Sequence, residues 1–159
     1  MALERYPEAS HLQLAILGFL RDIYTEYFKL TKRPLYANVI ELREQAVWFQ
    51  YLRYLDGAME EAFAVDWRRG YRSSELWHDH LARIEKTQAL GKQVILVAQG
   101  DRNNLSRQAF AFASYLLVAN GRASFRYAHH SAYRHLWLYD NYQLELGQPL
   151  GPRYRRGTS

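Results

Sequence analysis

Four short apolar runs, each preceded by a stretch of helical periodicity, constrain this chain more than anything else in it. They are 35–40, 56–63, 93–99 and 123–128. The clearest is Gln93-Val94-Ile95-Leu96-Val97-Ala98-Gln99, which is apolar on both faces. That pattern is expected of a strand in a parallel sheet covered by helices. Strands joined through helices of this length run parallel with right-handed crossovers.

The helical segments carry their own punctuation. Leu12, Ile16, Phe19, Ile23 and Tyr27 recur at spacings of three and four over Ser10–Leu30, with Ser10 and Gln13 as a capping box and Pro34 as the stop. Glu41–Leu55 repeats the pattern. Ser73 or Ser74 caps a helix that ends at Gly91, and Asn104 or Ser106 opens one that runs to Asn120-Gly121. Asp66–Arg72 reads as a polar, Arg-rich loop, and Ser131–Tyr139 as a last short helix. The order is α-β-α-β-α-β-α-β-(α), an α/β class. Four βα units admit a small open doubly wound parallel sheet or half of a (β/α)8 barrel, and periodicity does not separate them.

Length bears on that choice. The 159 residues suit one domain, yet they fall well short of the roughly 250 of a complete barrel. The absence of cysteine excludes disulfide frameworks, thiolate metal sites and a cysteine nucleophile, and leaves the compartment open. No apolar run approaches the ~18 residues of a membrane span, so no membrane partner is expected. MALERYPEAS shows no charged region followed by an apolar core, so no signal peptide is read there. The net charge of +5 comes from 17 Arg and 4 Lys against 16 acidic residues. Apart from Arg68, Arg69 and Arg72, and Arg153, Arg155 and Arg156 near the end, the basic residues are scattered. A nucleic-acid footprint is a continuous stripe, so no nucleic-acid partner is expected.

In either architecture the site lies at the carboxyl ends of the strands. Those ends carry Asn38 and Glu41, then Glu60 and Glu61, then Gln99 and Asp101, then Arg126, Tyr127, His129 and His130. Neighbouring strand residues face opposite ways, so only one of Glu60 and Glu61 can face a barrel interior. A carboxylate there suits general acid–base work, and an ion pair with one of the many Arg residues explains it equally well. Trp67, in the loop just beyond, is the tryptophan best placed to stack on a ligand, while Trp48, Trp77 and Trp137 read as core. His78 and His80, and His129 and His130, lack the spacing of a zinc motif. Gly100-Asp101-Arg102-Asn103-Asn104 lacks a nucleotide loop's glycines, and no serine sits in a GxSxG elbow.

Several of these segments resemble a family of hypothetical glycoside hydrolases with a TIM-barrel fold. Asp56-Gly57-Ala58-Met59-Glu60-Glu61-Ala62-Phe63 is similar to their "DGxMxExF" strand, and 91–100 to their "GKxVxxxxQG" strand. The similarity extends through 112–121 and Phe125-Arg126-Tyr127 to Leu146-Gly147-Gln148-Pro149-Leu150-Gly151-Pro152, like their "LGxPLGP".

The resemblance implies one partial domain over 1–159: a leading helix over 10–30, barrel strands five to eight with their helices over 34–152, and a basic tail over 153–159. It implies carboxylate hydrolysis of a poly- or oligosaccharide, with no metal or organic cofactor. Glu61 and Asp101 would be the catalytic residues, and Asn38, Glu60, Trp67, Gln99, Arg126, Tyr127 and His129 the substrate-binding ones. Glycoside hydrolysis usually needs two flanking carboxylates. In such barrels the second commonly comes from the front half, so the chain is expected to be a fragment of a longer reading frame, secreted if a leader precedes it. The alternatives are a non-catalytic carbohydrate-binding half-barrel or an inactive truncated fragment. A half-barrel with unpaired edges should also self-associate.

Overall fold

The structure, a computed structural model, describes residues 8–39, 45–66 and 68–154. Helix α1 (Ala9–Ile23) continues through a π-helical stretch, Tyr24–Phe28, and a last turn, Lys29–Thr31, before Lys32 turns left-handed at φ 55°. Strand β1 (Tyr36–Asn38), helix α2 (Gln45–Tyr51) and strand β2 (Gly57–Glu60) follow. After them come β3 (Val65–Asp66), β4 (Gly70–Tyr71), α3 (Ser74–Ala89), β5 (Gln93–Gln99), α4 (Leu105–Leu116) and β6 (Ala123–Ala128).

Local chemistry explains most of these boundaries. Ser73 Oγ accepts from the Leu76 amide at 3.3 Å at the start of α3, and Asn104 Oδ1 accepts from the Arg107 amide at 3.1 Å at the start of α4. Helix α3 closes with Gly91 at φ +75°, where the Gly91 and Lys92 amides return to the carbonyls of Gln88 and Thr87, a Schellman turn. The capping box expected at Ser10 does not form. Glu8 precedes the helix, and Ser10 Oγ donates to its carboxylate at 3.2 Å.

Three other expectations change. The second strand stops at Glu60 rather than Phe63, because the chain leaves the sheet plane and enters a turn with Ala64 at φ 60°. The Arg-rich loop is a small hairpin, in which Asp66 Oδ1 accepts from the Arg68 and Arg69 amides at 2.8 and 2.6 Å. Ser131–Tyr139 is not a helix; a 3₁₀ turn forms later, at Asp140–Gln143.

The main sheet has the order β1-β2-β5-β6, every pair parallel. The order follows the chain without reversal, so the sheet has no switch point of the kind that defines a doubly wound fold. The helices also lie on one face only. Trp48, Tyr51 and Leu52 pack over Ala58; Leu81 and Ile84 over Val94 and Leu96; and Ala111 over Ala98 and Tyr127. Among the described residues the sheet is thus a parallel α/β sheet with its helices packed on one face, without the two helix layers of the doubly wound alternative.

The other face is open over its middle levels, contrary to the expectation that helices cover both, while Val97 and Gln99 nearer the carboxyl end are buried on it. Asn38, Ile95 and Ser124 share one register level there, and all three are exposed. One level below, the Tyr36 ring crosses over Gly57 and its hydroxyl donates to Gln93 Oε1 at 2.8 Å. Only a glycine leaves room for that crossing. Among the described residues β1 and β6 each pair on one side only, and α1 exposes Leu14 and Phe19. No helix among them is long and apolar enough to cross a membrane.

Candidate functional site

Glu60 and Glu61 are adjacent in sequence and separate in space. Glu60 ends β2 on the helix-covered face, 1% exposed, where Arg83 Nη2 of α3 meets its Oε2 at 2.8 Å. The expected contact between Glu60 and a substrate does not fit this burial. Arg83 also lies over the Trp48 ring at 4.7 Å, and the Trp48 indole donates to Thr87 Oγ1 at 2.9 Å. Burial holds the Arg83 guanidinium below its ordinary value, and the Glu60 charge works against that fall. This is a structural pair.

Glu61, one residue on, is half-buried at the carboxyl end of the sheet. Its neighbourhood is built by the segment after β6. Arg126 Nη2 donates to the carbonyls of Tyr133 and His135, strapping that segment to the sheet. The Tyr133 ring lies 5.8 Å from the Arg126 guanidinium, and its hydroxyl accepts from Gln99 Nε2 at 2.6 Å. Burial raises the Tyr133 phenol above its ordinary value; the Gln99 hydrogen bond opposes the rise and the Glu61 charge adds to it. Gln99, Arg126 and Tyr133 thus form one polar cluster at the strand ends, with the charge of Glu61 acting on its phenol.

The remaining candidates distribute unevenly. Asp101 is 83% exposed, and its Oδ1 lies 3.6 Å from His129 Nε2, an ion pair only when the imidazole is protonated. His129 Nδ1 meets Ser131 Oγ at 2.8 Å, which anchors the ring through that nitrogen. Asn38 is exposed on the open face, level with Met59, two residues before Glu61. Tyr127 has no exposed surface and packs against Ala98, Ala111 and Trp137 under the helices. The expectation that it binds substrate is corrected by the strand's alternation, which turns Arg126 to the open side and Tyr127 away from it. Trp67 and Glu41 lie outside the described residues.

Tyr133 is the site residue that sequence reasoning missed. A segment read as a helix gave no reason to select one aromatic over Tyr139 or Trp137, and no spacing rule links position 133 to Gln99. Among the described residues no three His, Asp or Glu side chains gather as a metal would require.

The cluster offers a carboxylate, an amide, a guanidinium and a phenol, groups that bind hydroxylated molecules and transfer protons. Residues 5–159 match a family model described as hypothetical glycosyl hydrolase family 15. No curated protein matches the chain.

Proposed function

The chain belongs to the hypothetical glycosyl hydrolase family 15, and on that premise we propose that its strand-end cluster is the back half of a saccharide-cleaving site. In this proposal β1, β2, β5 and β6 are strands five to eight of a (β/α)8 barrel, and the front four strands come from outside these residues. The unreversed strand order and the single helix-covered face support it.

Glu61 is the proposed acid/base or nucleophile, and the observation that carries this role is its half-buried place at the carboxyl end of the sheet, where hydrogen bonds join Gln99 to Tyr133 and Arg126 to the Tyr133 segment and the Glu61 charge bears on the phenol. The Tyr133 oxygen already accepts from Gln99, so its own proton remains to be donated, to the Glu61 carboxylate or to a sugar hydroxyl. Gln99 and Arg126 act as positioning residues for that phenol. Asp101 is the exposed second carboxylate of this half, with His129 beside it. Glycoside hydrolysis sets two carboxylates about 5–5.5 Å apart for retention or 6.5–9.5 Å for inversion. A partner for Glu61 from the front half would meet either spacing across a closed barrel.

The test is hydrolysis of a polysaccharide panel by the longest form of the protein, with Glu61→Gln beside it. Loss of a positioned proton-transfer group costs roughly 10²–10⁴-fold in rate. Unchanged hydrolysis by Glu61→Gln would overturn the assignment. Saccharide binding without turnover in the unaltered protein would point instead to a non-catalytic binding module.

A further inference from the structure

The amino ends of the strands, opposite Glu61, carry a second feature that the hydrolase reading does not use. A cleft of about 550 Å³ opens there between the end of the α1 extension and the starts of β1, β5 and β6. That volume lies within the range of small-molecule sites. Lys29, Lys32, Arg33, Lys92 and Arg122 line it, so three of the chain's four lysines meet in one place.

Asp56 is the one carboxylate in the lining, and its Oδ2 is taken up by the Leu35 amide at 2.8 Å. Among the described residues none of the five cations has a carboxylate within 4.0 Å. Arg33 reaches only the Tyr27 hydroxyl, at 3.5 Å, and Arg122 only the Gly91 carbonyl, at 3.2 Å. Helix ends account for part of this, because cations favour a helix C-terminus and α1 with its extension ends beside Lys29 and Lys32. The end of α3 accounts for Lys92 in the same way, but no helix end accounts for Arg122, which lies just before β6. Five like charges gathered without counter-ions are mutually repulsive, and a concave cationic wall concentrates anions.

We infer that this cleft binds an acidic saccharide segment, one carrying carboxylates on neighbouring rings. The inference rests on the carbohydrate reading and adds to it the charge class of the polymer. Tyr24 and Phe28 supply half-buried aromatic surface in the same wall, suited to a sugar ring as well as to its charge. A nucleic acid is disfavoured because its phosphates call for a continuous stripe, and these cations close around one cleft. Because the cleft is at the far end of the strands from Glu61, it holds polymer rather than cleaving it.

Titration calorimetry of the 159-residue chain with oligogalacturonate tests this, against a neutral malto-oligosaccharide, inorganic phosphate and a single-stranded oligothymidylate. Oligogalacturonate should bind, weaken as salt rises, and lose roughly tenfold or more in affinity in Lys29→Gln/Arg33→Gln. Arg122→Gln, an independent exposed position, should also weaken it, and Arg21→Gln, an exposed cation outside the cleft, should not. Melting curves of each variant separate lost charge from lost folding. Equal binding by the neutral sugar, undiminished binding by both variants, or tighter binding of phosphate or oligothymidylate would overturn the inference. Binding measures this cleft alone: acidic-glycan binding alongside unchanged hydrolysis by Glu61→Gln in the longest form leaves it standing while the Glu61 assignment falls, and Glu61-dependent hydrolysis without such binding does the reverse.

Discussion

Arg83 grips the Glu60 carboxylate at 2.8 Å beneath the helices, while the very next carboxylate, Glu61, sits at the open end of the sheet near Tyr133. The end of β2 divides two chemically identical neighbours, with Glu60 held in the strand under the helices and Glu61 in the turn that follows.

Removing one partner of the buried pair should therefore damage folding. Arg83→Met strands a carboxylate that is 1% exposed, and a broken buried pair costs about 3–5 kcal/mol. Urea unfolding should show Glu60→Leu/Arg83→Leu losing less than either single change, because no charge is then left buried alone. Additive losses would mean that the pair carries little coupling.

Gly57 is tied to the Tyr36 ring that crosses it. A Cβ there would run into that ring and sit 2.7 Å from the Gln93 carbonyl oxygen, a backbone atom that cannot swing away. Gly57→Ala should cost about 1–3 kcal/mol by overpacking. Adding Tyr36→Ala should recover only part of it, which a comparison of melting midpoints will show.

His80 makes the fold acid-sensitive. Burial pushes its imidazole down to about 3, with the positive charges of Arg83 and Arg72 adding to the fall. The folded protein thus keeps His80 neutral while the unfolded chain protonates it near pH 6.5. Its contribution to stability is complete above that pH and is lost as pH falls from about 6.5 toward 3. At pH 5 the loss should be about 1–2 kcal/mol. His80→Gln should flatten this part of the stability–pH curve in chemical unfolding series from pH 4 to 8.

Tyr133→Phe keeps the ring against Arg126 and removes the oxygen that Gln99 reaches. Gln99 is 7% exposed, so its amide would be left without that partner at a buried site. If the proposed hydrolysis is found, kcat/KM should fall about tenfold, the kinetic equivalent of about 1.4 kcal/mol.

Much of the framework was legible in the chain. Gln93–Gln99 and Ala123–Ala128 stand at the bounds their apolar runs predicted, Ser73 and Asn104 cap helices through their side chains, and Gly91 closes one through its positive φ. These features depend on neighbours a few residues away, and sequence records neighbours directly. The Ser10 capping box, the 131–139 helix and the coverage of both sheet faces failed for the opposite reason. Each depended on what lay across space.

By itself the sequence determined that strands alternate with helices, that the sheet is parallel, and that polar groups gather at the carboxyl ends of its strands. It also determined that only one of Glu60 and Glu61 could face the site. Tertiary structure alone decided which one, because the choice rests on where α3 places Arg83. It alone brought Tyr133 to Gln99 across 34 positions, turned Tyr127 into the core, and collected Lys29, Lys32 and Lys92 around one cleft. Periodicity reports the direction of a side chain relative to its own strand or helix; the partner it meets there is set by how those elements pack.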